Sequence, residues 1–175
     1  MSTLTYLLTC SAATVWFVVL KIVNVLIMTR TNLSRVKERT HMTAPDEKTL
    51  TTLTRLFEEE FGPIGDRQVL YVHAPGRSEI SGNHTDHEGG HVIAGSLDVA
   101  VDGIAVATDS NKVRVADEGY PTFEITLDTL DVQESEKGTS ASLVRGMAHE
   151  VAALGVEPKG FDFAFTCSVP SGGGL

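Results

Sequence analysis

From Gln68 to Leu127 the chain holds short runs of β-branched and aromatic residues with no helical period, while clear helical periods lie on either side of that block. This order is the strongest constraint on the fold. Leu50, Leu53, Phe57 and Phe61 recur at helical spacing after Thr43-Ala44-Pro45-Asp46, a capped start, and Gly62-Pro63 ends the run. Gln68–Ala74 reads as a strand that stops at Pro75-Gly76, and a polar, glycine-rich loop is expected from Arg77 to His91. Val99–Thr108, Lys112–Val115 and Thr122–Leu127 read as three more strands, with Asp109-Ser110-Asn111 turning the chain between the first two. Ser140–Leu154 is the second helix, with Leu143, Met147, Val151 and Leu154 on one face and Gly155 beyond its end. Phe161, Phe163, Phe165 and Cys167 then alternate with Asp162, Ala164, Thr166 and Ser168, a strand whose aromatic face belongs in a core. Strands that mostly follow one another without helical crossovers define an α+β layout.

Charge is split along the chain. Residues 1–41 carry five Lys/Arg and one Glu, whereas residues 42–175 carry nine Lys/Arg and 22 Asp/Glu. An acidic domain without a basic stripe repels a phosphate backbone, which excludes nucleic acid as a partner. Two cysteines, Cys10 and Cys167, are too few for a disulfide framework or a zinc site and fit a reducing compartment.

Tyr6 to Met28 is apolar and long enough to cross a bilayer, but Lys21 and Asn24 interrupt it. No Lys or Arg precedes it, unlike a secretory signal. Two readings stand for residues 1–41: an upstream extension, the functional chain starting at Met42, or a membrane anchor spanning residues 6–28. Arg30, Arg35, Lys37 and Arg39 follow the apolar run, so insertion would leave the rest of the chain in the cytoplasm, as the first reading also does.

Two segments carry chemistry. Pro170-Ser171-Gly172-Gly173-Gly174-Leu175 follows a strand, and successive glycines let backbone N–H groups turn inward to hold phosphate. Ala74-Pro75-Gly76-Arg77 leads into Gly82-Asn83-His84-Thr85-Asp86-His87-Glu88-Gly89-Gly90, a loop dense in hydrogen-bonding groups. Asp86 can accept from two adjacent hydroxyls, His84 can donate or accept, and Arg77 brings a fixed cation. Structural roles compete with each: Arg77 can pair with Glu79, and His73 and His149 read as structural. His84, His87 and His91 invite a metal reading, but their spacing does not set three ligands on one side.

Ala-Pro-Gly-Arg-x-x-x-x-Gly-x-His-Thr-Asp, from Ala74 to Asp86, resembles the galactokinase signature, and Pro-x-Gly-x-Gly-Leu, from Pro170 to Leu175, is similar to the opening of the GHMP-kinase phosphate loop. The resemblance covers residues 43–175. It implies a ribosomal-S5-domain-2-like α+β N-terminal domain of a longer kinase, cut at its phosphate loop. The implied reaction is transfer of the ATP γ-phosphoryl group, with Mg2+, to the 1-hydroxyl of galactose. Arg77 would be the catalytic arginine, and Asn83, His84 and Asp86 would bind the sugar. Pro170, Ser171, Gly172, Gly173, Gly174 and Leu175 would hold the nucleotide. The family's catalytic aspartate falls downstream of the phosphate loop.

The chain departs from the usual pattern at three places. Asn83 stands where the family has a sugar-binding Glu, His87 where it has Tyr, and Glu79 adds a carboxylate near Arg77. These leave open a kinase of the same superfamily acting on another sugar, or a non-catalytic regulator that binds galactose and ATP.

Overall fold

The computed structural model describes residues 45–82 and 91–170. Helix α1 (Glu47–Phe61) begins at Asp46, whose carboxylate accepts from the Thr49 amide at 3.0 Å and from the Thr49 hydroxyl at 2.7 Å. These bonds satisfy an orphan donor of the first turn and hold the Asp46 carboxyl below its usual range, the Thr49 side chain being the larger cause. Gly62, at φ 86°, closes the helix in a backbone region that favours glycine.

Strands β1 (Val69–Ser81), β2 (Ile93–Ala107), β3 (Lys112–Asp117) and β4 (Phe123–Thr126) follow, then a short 3-10 turn (Glu134–Glu136), helix α2 (Ser140–Ala153) and strand β5 (Phe161–Cys167). They form one mixed sheet in the order β1-β2-β5-β3-β4. The neighbours pair antiparallel except β3 and β5, which run parallel.

Both faces of the sheet are covered. Phe161, Phe163 and Phe165 join Val72, Ala74, Val101, Val113, Val115 and Ile125 in a core that takes Val144 and Met147 from α2. On the opposite face Leu53, Leu56 and Phe57 of α1 pack on Ile104, Val106, Ala116 and Ala164. Strand β5 lies in the middle of the sheet and is therefore buried on both faces, unlike a half-solvated strand. Its aromatic face is core, as the alternation requires.

Both helices and the α+β class are those the sequence predicts, and three details are corrected. The first strand does not end at Ala74 but continues through Pro75-Gly76-Arg77 to Ser81. Because β1 is an edge strand, the missing proline N–H costs no ladder bond on the free side. Arg77 is therefore a strand residue, and β2 correspondingly begins at Ile93 rather than Val99. Second, the sheet does contain a helical crossover: α2 lies between β4 and β5 and allows β5 to run parallel to β3. Third, Leu154 is 75 % exposed, and Val144 and Ala148 supply the buried face of α2 together with Met147 and Val151.

The buried Arg145 explains part of that face. Its guanidinium donates to both Glu136 oxygens, at 2.7 and 2.6 Å, and to the carbonyls of Thr126 and Thr129. One side chain thus ties the 127–139 connection to α2, and the paired arginine pulls the Glu136 carboxyl below its ordinary range.

Among the described residues no helix is long and apolar enough to cross a membrane. The apolar segment 6–28, and the choice between extension and anchor for residues 1–41, lie outside the described residues.

Candidate functional site

The described parts of the two segments singled out in the sequence, residues 74–81 and Pro170, lie on β1 and just beyond β5, the two strands that flank β2. Along β1 and β2 the register holds from Val69↔Val106 to Pro75↔Ala100, then resumes at Arg77↔Ser96. Between those pairs β1 supplies only Gly76, while β2 supplies Leu97, Asp98 and Val99. This is a bulge on β2, a device that bends a strand and re-aims the side chains beyond it. Gly76 lies against it: a β-carbon there would be 3.3 Å from the Val99 carbonyl oxygen and 3.3 Å from its Cγ2.

The same point at Gly76 is 3.7 Å from Cγ2 of Val169. Val169 is buried, at 6 % exposure, beside exposed Pro170. The residue before Arg77 therefore lies near the residue before Pro170, although more than ninety positions separate them. Ser168 fastens this junction. Its amide donates to the Ala100 carbonyl at 2.9 Å, and its hydroxyl accepts from the Ala100 amide at 2.9 Å.

Arg77 is exposed and makes no ion pair among the described residues, so the alternative of a pair with Glu79 is not what its geometry shows. An exposed guanidinium without a carboxylate keeps its charge available to an anionic ligand. Of the remaining expected site residues, Pro170 is placed at the end of this junction. Asn83, His84 and Asp86, as well as Ser171, Gly172, Gly173, Gly174 and Leu175, lie outside the described residues.

A polar row on the α1 side of the sheet was not legible as a unit in the sequence. Asp102 of β2 accepts from the Tyr71 hydroxyl and lies 2.7 Å from Nδ1 of His73, both on β1. Burial, then the hydrogen bond to Asp102, pushes the Tyr71 phenol above its ordinary value of 10.0. The one available signal was Asp102 itself, an acid within the otherwise apolar run of residues 99–107. These residues line a cavity of about 790 Å³ between the first turn of α1 and the sheet, along with Asp98, Glu118, Thr166 and Ser168. His73 is thus held by the Asp102 carboxylate. Among the described residues no group of three or more His, Cys, Asp and Glu is placed to hold a metal ion.

A mixed five-stranded sheet with a crossover helix on one face is the architecture of the N-terminal domain of the GHMP kinases. Within that class the chain is related to the galactokinases, and their galactose-binding signature matches residues 55–106. It is 33% identical over 128 residues to a galactokinase of Lactococcus lactis subsp. cremoris, covering 72% of this chain and 32% of that one. It is 29% identical over 115 residues to a galactokinase of Bacillus subtilis, covering 64% and 30%. In three dimensions it matches the crystal structure of Lactococcus lactis galactokinase complexed with galactose at a TM-score of 0.61 and 31% identity, covering 69% of this chain and 31% of that one. The chain spans about a third of the length of these relatives.

Proposed function

We propose that this chain supplies the sugar-gripping and phosphate-gripping half of a galactokinase-like site, where the ATP γ-phosphoryl group passes to the 1-hydroxyl of galactose in the cytoplasm. The observation that carries the reading is that Gly76 and Val169, the residues just before Arg77 and Pro170, lie near one another, and that Arg77 makes no ion pair among the described residues. Phosphoryl transfer asks little covalent chemistry of a protein and depends on positioning and on charge placed where charge develops.

Arg77 is the residue for that second task. Its backbone lies on a paired strand rather than on a loop, so the ladder fixes where the side chain departs, and its guanidinium stabilises the reacting oxygen and the moving phosphoryl group. Asn83, His84 and Asp86 hold the sugar hydroxyls, and the amides of residues 171–174 hold the phosphates, with Pro170 and Leu175 bounding that turn. Asn83 accepts as a neutral amide, and a hydrogen bond to a carboxylate is roughly twice as strong as one to a neutral acceptor. Galactose therefore binds more weakly here than it would to a Glu at that position. The described residues build no cage for the Mg2+ that such a reaction uses.

The 175-residue polypeptide, covering a third of its relatives, is expected to bind without turning over. Calorimetric titration of the purified chain with galactose, a panel of other monosaccharides and ATP tests this, alongside a coupled assay for ADP release. The expected result is saturable binding of galactose and of ATP, with galactose gaining affinity in Asn83→Glu and no ADP formed. Preference for a different sugar would replace the substrate, and failure to bind ATP would remove the kinase reading. ADP formation at a normal rate would show that no further residues are needed.

A further inference from the structure

We propose that Ser168 and Gly76 form a clasp that sets the spacing between Arg77 and Pro170, making both of them positioning residues. The proposal rests on the functional reading of those two elements.

The β2–β5 ladder runs in unbroken antiparallel register from Ala107↔Phe161 to Val101↔Cys167, and the next pair in that register is Ala100 opposite Ser168. In an antiparallel ladder such a pair exchanges two backbone bonds, each residue's amide donating to the other's carbonyl. Only half of that exchange is made by backbone. The Ser168 amide donates to the Ala100 carbonyl at 2.9 Å, but the Ala100 amide donates to the Ser168 hydroxyl, also at 2.9 Å. The hydroxyl in turn lies 3.1 Å from the Ala100 carbonyl and can donate to it. Ser168 thus puts its side chain where its own carbonyl would otherwise serve, and the main chain is released from the ladder one residue early, turning Val169 inward and Pro170 outward.

Gly76 fills the other side. Ala100 is paired with Pro75 of β1, so the serine is fastened to the residue that faces the start of the Pro75-Gly76-Arg77 step. The absence of a side chain at Gly76 lets β1 close on the Val99 bulge. Adding a methyl group 3.3 Å from a backbone carbonyl oxygen forces β1 or the bulge to yield, and both Arg77 and Val169 adjoin that point. Two covalent steps from Arg77 to Pro75 and two from Pro170 to Ser168 are therefore bridged by one residue, Ala100.

Ser168→Ala and Ser168→Thr in the full 175-residue chain separate this role from general packing, because threonine keeps the hydroxyl. Without it the Ala100 amide should return to the Ser168 carbonyl and straighten the turn. With ATP as the probe, the dissociation constant is expected to rise about tenfold in Ser168→Ala and to stay within about twofold of wild type in Ser168→Thr. In two-dimensional amide spectra Ser168→Ala should move the Ala100, Val169 and Arg77 signals, while Ser168→Thr leaves Val169 and Arg77 in place. Gly76→Ala should move the Val99, Arg77 and Val169 amides together. Unchanged ATP affinity in Ser168→Ala would overturn the proposal. Should the wild-type chain bind no ATP, the kinase reading falls separately, and the clasp is then decided by the spectra: Arg77 and Val169 signals unmoved by both Ser168→Ala and Gly76→Ala would overturn it.

Discussion

Asp162, fully buried in the central strand, grips the Arg114 guanidinium of β3 through two parallel hydrogen bonds of 2.7 and 2.6 Å. The same guanidinium lies over the Phe61 ring at 4.9 Å, so it closes the end of α1 onto the sheet. The hydrogen bond to Asp162 raises Arg114 above its already high value, which keeps the cation charged at every working pH. Asp162→Ala should cost about 3 kcal/mol, because it leaves a half-desolvated cation without its partner. Replacing both residues by apolar ones, Arg114→Met with Asp162→Leu, should recover most of that loss. Urea unfolding of the single and double variants measures both, and a double variant no more stable than Asp162→Ala would refute the account.

Asp117, at the end of β3, gives the fold a pH dependence. Burial, then the neighbouring Glu118, raises its carboxyl from 3.8 to about 6. The native state holds this proton more tightly than the unfolded chain does. Its contribution to stability is therefore full below about pH 4, declines as the pH rises, and is gone above about pH 6. Asp117→Asn should raise stability at about pH 7.5 by on the order of 1 kcal/mol, the full shift being reduced by solvent screening of a partly exposed group. At about pH 4 the variant and wild type should differ little. Thermal melts at the two pH values give the comparison, and an equal gain at both would rule out the carboxyl as its source.

The polar row on the α1 side has a spectroscopic signature. The Tyr71 phenol donates to a carboxylate and is partly desolvated, so it ionises only above the ordinary phenol range. In an alkaline absorbance titration, wild type minus Tyr71→Phe should show one tyrosine ionising later than a free phenol. Asp102→Asn removes the acceptor's charge and should bring that ionisation back down. A Tyr71 signal that titrates like free tyrosine in the wild-type chain would show that the hydrogen bond to Asp102 is absent in solution.

Local physics explains which parts of this arrangement could be read in advance. The limits of α1 follow from Asp46 and Gly62, and the burial of Phe161, Phe163 and Phe165 from period-two alternation; both signals lie within a few residues of what they govern. Pro75-Gly76 misled for the opposite reason. That pair is a turn signal in isolation, and only β1's place at the edge of the sheet makes it compatible with a strand. Likewise the exposure of Leu154 and the burial of Arg145 depend on where α2 meets the 127–139 connection, which no helical period encodes. Motif resemblance singles out Arg77 and Pro170, whereas Ser168 carries no motif signal of its own. Its role comes from facing Ala100 across a ladder that spans 68 positions of sequence.

Gly103 is a position where the sheet leaves no room for a side chain. It lies in β2 opposite Phe165 of β5, and a β-carbon there would fall 2.5 Å from two ring carbons of Phe163 and 3.1 Å from the Ala164 carbonyl oxygen. Phe163 cannot swing clear, since it is 2 % exposed and stacked on Phe165 with ring centroids 5.4 Å apart. Overpacking of this kind costs about 3 kcal/mol when the neighbours are fixed, so Gly103→Ala is expected to unfold at markedly lower urea. The ring is the specific obstacle, which a second substitution can test. Phe163→Leu alone opens a cavity and destabilises by about 1–2 kcal/mol, but combined with Gly103→Ala it should cost clearly less than the two changes added. Strict additivity in that cycle would mean that the ring is not what Gly103 accommodates, and the Ala164 carbonyl would then be the constraint.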